Sequence, residues 1–174
     1  RILWIANPSG TEPGFGDLWR GGFPQTDVPD DPAEPYPGGM FIGPSPLMCE
    51  GNLYVATQGG SMYRIDSDTG EVVWSFATGN EVESTAVVGG GRLAFGSIDE
   101  HLYVLDADTG ELRWAADVGE DTLASPSMLA GRVFSSDKEG DVFCYDVENG
   151  EERWVSNLGS TVTTSTSFGA GGQR

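Results

Sequence analysis

Short apolar runs broken by glycine fill the chain beyond its first 40 or so residues. Thr85-Ala86-Val87-Val88 ends in Gly89-Gly90-Gly91, and Leu93-Ala94-Phe95 ends at Gly96. Leu102-Tyr103-Val104-Leu105 leads into Asp106-Ala107-Asp108-Thr109-Gly110, and Leu112-Arg113-Trp114-Ala115 precedes Gly119. Runs of this length between glycine-rich turns predict antiparallel strands. No segment carries apolar residues at helical spacing over three turns. The pattern therefore predicts an all-β chain.

The pattern also repeats, with a period of 40. Trp74, Trp114 and Trp154 follow it, as do Gly70, Gly110 and Gly150, and Asp66, Asp106 and Asp146. Glu71, Glu111 and Glu151 keep the same spacing, and so do the turn glycines Gly51, Gly91 and Gly131, and Gly79, Gly119 and Gly159. One structural unit is used three times without a gap. Four short strands in about 40 residues mark a β-propeller blade. The expected fold is a β-propeller of four-stranded antiparallel blades, complete at residues 40–79, 80–119 and 120–159.

The ends carry fragments of the same unit. Residues 1–7, with Trp4, match the outer strand of a preceding blade, and residues 160–174 match the start of a following one. Three blades do not close a ring, since propellers have about four or more. An open arc exposes strand edges. The chain is thus expected to be part of a six- to eight-bladed ring. It begins with Arg1 rather than Met, which fits a removed leader or a piece of a longer chain.

Residues 8–39 interrupt the repeat. This stretch carries seven prolines, six acids and the aromatics Phe15, Trp19, Phe23 and Tyr36, with Arg20 as its one basic residue. Proline at this density excludes a sheet interior and favours a stiff extended loop. Two readings stand: a surface excursion whose aromatics pack on the propeller, or a binding loop on a rigid scaffold.

Composition narrows the function. The 174 residues hold 27 acids against 9 basic groups, a net charge of −18, with Lys138 the only lysine. Such a charge repels nucleic acid and anionic lipid. It also suits a salty exterior, where dense carboxylates keep a protein soluble. No run of 18 apolar residues marks a transmembrane helix. Cys49 and Cys144 are too few for a disulfide scaffold or a four-cysteine zinc site. His101, the single histidine, excludes any metal site that needs two.

The repeated motif has a physical logic. Asp106-x-x-Thr109-Gly110-Glu111-x-x-Trp114 recurs from Asp66 to Trp74 and, with Asn149 for Thr, from Asp146 to Trp154. The glycine supplies a positive φ at the end of a hairpin turn. The Asp side chain accepts backbone N–H groups inside that turn. The Trp ring is placed to pack on the next blade while its N–H finds a carbonyl. Asp66, Gly70, Trp74, Asp106, Gly110, Trp114, Asp146, Gly150 and Trp154 are the expected docking residues, each Trp mostly buried. A calcium-loop reading of the Asp-x-Asp turns fails on register, because the glycine falls at position five rather than six.

No Trp-Asp dipeptide occurs, so this is not the WD-repeat form. The motif resembles the tryptophan-docking motif of the pyrroloquinoline-quinone (PQQ)-like β-propeller family, over about residues 44–168. One departure is the family's Ala two positions before the Asp, where this chain has Arg64, Val104 and Cys144. The resemblance implies an extracytoplasmic protein, periplasmic or extracellular. Dehydrogenases of the family bind PQQ and calcium, often beside two adjacent cysteines. No such pair occurs here and no Asp stands out from the turn acids, so no catalytic, cofactor-binding or metal residue is assigned. The leading expectation is a non-catalytic scaffold that binds a protein partner or the remainder of its own propeller. The alternative is a fragment of a PQQ- and calcium-dependent quinoprotein dehydrogenase, with a carbohydrate-binding propeller as a weaker third.

Strand parity selects a candidate contact face. In an up-and-down blade, the connection to the next blade shares a face with the turn between the second and third strands. That places the insertion's Trp19, Arg20, Phe23 and Tyr36 beside the turns holding Gln58, His101 and Lys138.

Overall fold

The computed structural model describes residues 44–122, 124–162 and 165. Residues 1–7 and the 8–39 insertion lie outside that range, so Trp19, Arg20, Phe23 and Tyr36 do as well. The first sheet comprises β1 (Leu47–Cys49), β2 (Asn52–Thr57), β3 (Ser61–Asp66) and β4 (Val72–Ala77). The second comprises β5 (Val87–Gly89), β6 (Arg92–Gly96), β7 (His101–Asp106) and β8 (Leu112–Asp117). The third comprises β9 (Ser127–Leu129), β10 (Arg132–Ser136), β11 (Asp141–Asp146) and β12 (Glu152–Asn157). Each sheet is antiparallel, with its strands side by side in chain order. No helix occurs among the described residues. The described residues are all-β, and their three sheets are blades of a partial propeller.

Turn chemistry sets the register. Glu50-Gly51, Gly90-Gly91 and Ala130-Gly131 each join two strands as a two-residue loop. Both residues of every pair have positive φ, from 49° to 75°. That is the type I′ hairpin, whose twist matches the strands it joins. The turn between the third and fourth strands is longer. Gly70, Gly110 and Gly150 take φ of 77°, 73° and 72°, and each donates its N–H to the carbonyl of the Asp four residues earlier at 2.9 Å. Asp66 Oδ1 accepts from the N–H groups of Asp68 and Thr69, and Asp106 Oδ1 does so from Asp108 and Thr109. A bulge follows at the same place in each sheet, between Arg64 and Ile65, Val104 and Leu105, and Cys144 and Tyr145.

Two core clusters lie between sheets, and a smaller third holds Val55 and Ile65 of the first sheet. Tyr54 and Met62 of the first blade pack with Leu93, Phe95 and Leu105 of the second. Ala94, Leu102 and Val104 of the second pack with Val133, Phe143 and Tyr145 of the third. The middle blade is covered on both faces, so Leu93, Ala94 and Phe95 are all fully buried. The outer strand β12 of the third blade is exposed along its whole length.

Candidate functional site: blade junctions and the connector face

Two sets of contacts join the blades, one at each end of the strands. At the first end the tryptophans meet the glycine turns. Trp74 Nε1 donates to the Ala107 carbonyl at 3.2 Å, and Trp114 Nε1 to the Val147 carbonyl at 2.9 Å. The rings lie flat over the turn ahead: a Cβ added at Gly110 would come 2.6 Å from Trp74 Cδ2, and one at Gly150 2.8 Å from Trp114 Cδ2. Tyr54 and Tyr145 tilt against these two indoles at 6.1 and 5.8 Å between ring centres.

The three tryptophans differ in burial. Trp74 and Trp114 are half-buried, short of the mostly buried rings expected, since each stands on an outer strand whose other residues are exposed or half-buried. Trp154 is 42% exposed, and no described residue accepts its indole N–H. Its ring has Phe134 beside it at 6.0 Å, and no turn among the described residues lies upon it.

Cross-blade arginines accompany the tryptophans, and motif reading missed them. Arg64 Nη1 donates to the Ala107 carbonyl at 3.3 Å and to the Asp108 carbonyl at 2.6 Å, while its Nε donates to Asn52 Oδ1 at 2.9 Å. Arg92 reaches from the second blade to Glu148 Oε2 of the third at 2.6 Å. The only sequence signal was the family's missing alanine at Arg64.

The turn carboxylates are held ionised. The Arg113 guanidinium, then the Thr109 amide, pulls Asp106 down to about 2. Arg153 and the Glu148 amide lower Asp146, and the Thr69 and Asp68 amides lower Asp66.

At the other end, each connector is clasped by turns of two blades. Val82 N–H donates to the Thr57 carbonyl of the first blade at 3.2 Å, and the neighbouring Glu81 carbonyl accepts from Ile98 N–H of the second at 3.0 Å. Thr122 and Asp121 repeat this with Ser97 and Lys138, at 3.4 and 3.3 Å. The connectors thus run beside the turns between second and third strands, which puts Gln58, His101 and Lys138 on one face. Gln58 lies in the first of these turns. His101 opens β7 instead of sitting in the turn, because it pairs with Asp117 across the β7–β8 ladder.

Two of these side chains are engaged within the chain. Lys138 Nζ lies 2.9 Å from both Glu120 Oε2 and Asp121 Oδ2, and these hydrogen bonds hold its ammonium above the usual lysine range. His101 Nδ1 contacts the Asp99 carbonyl at 2.7 Å, which requires the proton on Nδ1 in the neutral ring. Asp99 is a clasp that no motif announced. Its Oδ2 accepts Gly79 N–H from the first blade's exit at 2.6 Å and Tyr103 O–H at 2.7 Å. Burial and then this carboxylate push the Tyr103 phenol well above the usual tyrosine range. Asp99 Oδ1 is buried without a partner, 3.7 Å from His101 Nδ1. The equivalent positions in the other blades are Gly59 and Glu139, so only comparison of blades in space isolates the cluster.

The connector face is acidic. Burial raises Glu83, and Glu81 and Asp121 raise it further by like-charge repulsion. Cys49 and Cys144 are free thiols in different sheets. Among the described residues no three His, Cys, Asp or Glu side chains converge on one point.

Solved structures share this architecture. BamB from Moraxella catarrhalis superposes with a TM-score of 0.62 at 20% identity, covering 70% of this chain and 40% of that one. Quinohemoprotein alcohol dehydrogenase from Comamonas testosteroni gives 0.59 at 22%, covering 66% and 21%. The quinohemoprotein alcohol dehydrogenase ADHIIG from Pseudomonas putida HK5 gives 0.57 at 23%, covering 65% and 20%. These similarities speak to the fold, and the chain spans 40% or less of each of these proteins. No curated protein matches it. A family model described as outer membrane protein assembly factor BamB matches residues 8–171, and the chain belongs to that family of PQQ-type propeller proteins.

Proposed function

We propose that this chain is part of a non-catalytic extracytoplasmic propeller that serves as a protein-interaction or assembly scaffold. The match of the assembly-factor family model over residues 8–171 carries this reading. The connector face, with Gln58, His101 and Lys138, is its proposed contact surface, and Trp19, Arg20, Phe23 and Tyr36 are proposed to contact the same partner. Its carboxylates favour a partner with a basic patch, since complementary potentials steer encounter and set register. Photo-crosslinkers placed singly at Gln58, His101 and Lys138 should capture the same protein in cells of the source organism. Crosslinkers at Val73 on the outer strand should not. Equal capture from both places would sink the proposal.

The fold's likeness to quinohemoprotein alcohol dehydrogenases supports a second reading, a piece of a quinoprotein dehydrogenase. On the scaffold reading, added PQQ and calcium leave the protein unable to reduce dye with an alcohol. Alcohol-dependent reduction would favour the dehydrogenase.

A further inference from the structure

The two described blade junctions share one geometry but not one filling. Between the first and second blades three rings meet. Phe76 of the first sets its edge on Phe95 and Tyr103 of the second, at 6.3 and 5.5 Å between ring centres, and Phe95 stacks on Tyr103 at 5.4 Å. Val82, on the connector, is fully buried in the same cluster. One period of 40 residues later, the places of Phe76, Val82, Phe95 and Tyr103 hold Ala116, Thr122, Ser135 and Phe143. Two of the three rings are gone, and the valine has become a threonine. Phe143 stacks instead on Tyr145 of its own strand, at 6.1 Å.

These exchanges remove ring carbons and bring in two hydroxyls. Thr122 and Ser135 are 0% and 1% exposed, yet Thr122 Oγ1 and Ser135 Oγ have no hydrogen-bond partner among the described residues. The repeat places the two groups together. Val82 packs with Ala56 of one blade and Phe95 of the next, and Thr122 takes the matching place between Gly96 and Ser135. Its backbone is fixed there, with its N–H donating to the Ser97 carbonyl at 3.4 Å. Its methyl faces Gly96, where an added Cβ would strike Thr122 Cγ2. That contact leaves Oγ1 on the side away from Gly96, where the third blade brings Ser135.

We propose that Thr122 Oγ1 and Ser135 Oγ hold ordered water between the second and third blades, so that this seam is hydrated where the seam before it is packed with rings. A buried hydroxyl left unpaired is costly, and water is the smallest group that relieves it. Each hydroxyl can both donate and accept, so one water can bridge the two. An internal water needs about two to four polar partners and roughly 30 Å³, less than the space of a phenyl ring. A gap of the same size lined only by apolar side chains would stay dry. The two hydroxyls decide between these cases.

The test uses the intact protein and the relaxation dispersion of solvent oxygen nuclei, which registers waters held inside a protein and is blind to hydroxyl protons. The double change Thr122→Val with Ser135→Ala should remove the amplitude of about one water or more. Melting temperatures supply a second readout. Either single change takes one anchor from the water and leaves the other hydroxyl poorly paired. Thr122→Val and Ser135→Ala should therefore each lower the melting temperature by about 2–4 °C. The double variant removes both groups and should melt no lower than either single one. Equal amplitude in native and double-variant protein overturns the proposal. So does a melting temperature that rises in either single variant, since the hydroxyls would then be unpaired in a dry seam.

Discussion

The indole N–H of Trp114 donates to the carbonyl of Val147, 33 residues ahead, at 2.9 Å. Trp74 makes the same bond to Ala107 at 3.2 Å. Each blade grips the turn of the next with one ring, so neighbouring sheets are joined by side chains on their surfaces. Trp154, in the same local motif, has neither the bond nor the cover from any described residue. The difference gives a direct comparison: Trp114→Ala should cost about 3 kcal/mol by losing ring burial and a hydrogen bond. Trp154→Ala should cost less than about 1 kcal/mol, as a change at an exposed position. Urea denaturation of both variants measures the pair, and equal losses would show that docking is not what stabilises the junction.

The docking glycines separate backbone strain from steric clash. Gly131 has a φ of 74° and open space around a would-be Cβ, so Gly131→Ala bears only the left-handed penalty of about 1–2 kcal/mol. Gly110 has a φ of 73° and would also drive a methyl into the Trp74 ring. Gly110→Ala should therefore lose clearly more, about 3 kcal/mol or above. If thermal melts place the two variants together, the ring is not seated on the turn as described.

Acid should loosen the turns in a defined window. Arg113 and the Thr109 amide lower Asp106 to about 2 in the folded chain, against about 3.9 when unfolded. A depressed carboxylate contributes stability that is present above the unfolded value and is lost as pH falls through the folded one. Asp66 and Asp146 are lowered in the same direction. Stability should thus drop between about pH 4 and pH 2. Asp106→Asn should flatten this part of the profile while lowering stability at neutral pH. An unchanged acid limb in that variant would remove Asp106 from the account.

Salt should act in the opposite sense to the usual loss of surface ion pairs. The chain carries a net charge of −18, and the half-buried Glu83 is repelled by the nearby carboxylates of Glu81 and Asp121. Raising KCl from about 0.1 M to about 1 M shortens the screening length from about 10 Å to about 3 Å. The melting temperature should rise over that range. Glu83→Gln should raise it at low salt and change it little at high salt. A melting temperature that falls with added KCl would mean that the ion pairs of Arg92, Arg113, Lys138 and Arg153 outweigh the repulsion.

Much of this architecture was written locally. A period of 40 in tryptophan, glycine and aspartate, with four short apolar runs per period, is enough to specify antiparallel blades, because strand length, turn glycines and alternation depend on near neighbours in the chain. Strand parity also put Gln58, His101 and Lys138 on the connectors' face, since an up-and-down sheet sends alternate loops to opposite ends. His101 fell in a strand rather than a turn because ladder pairing with Asp117 extends β7 by one residue.

Only the assembled sheets decided the rest. Arg64 and Arg92 occupy unrelated places in the repeat, and nothing in their spacing shows that both reach the next blade's turn; diagonal packing across β2 and β3 makes the two positions equivalent. Asp99 ties Gly79 to Tyr103 because a turn of one blade meets the exit of another, a contact between residues 20 apart that no period reveals. Burial of the tryptophans was likewise beyond local reading. Trp74, Trp114 and Trp154 share one motif, yet a ring is covered only where another sheet lies over it, and burial is a property of neighbours in space rather than of neighbours in sequence.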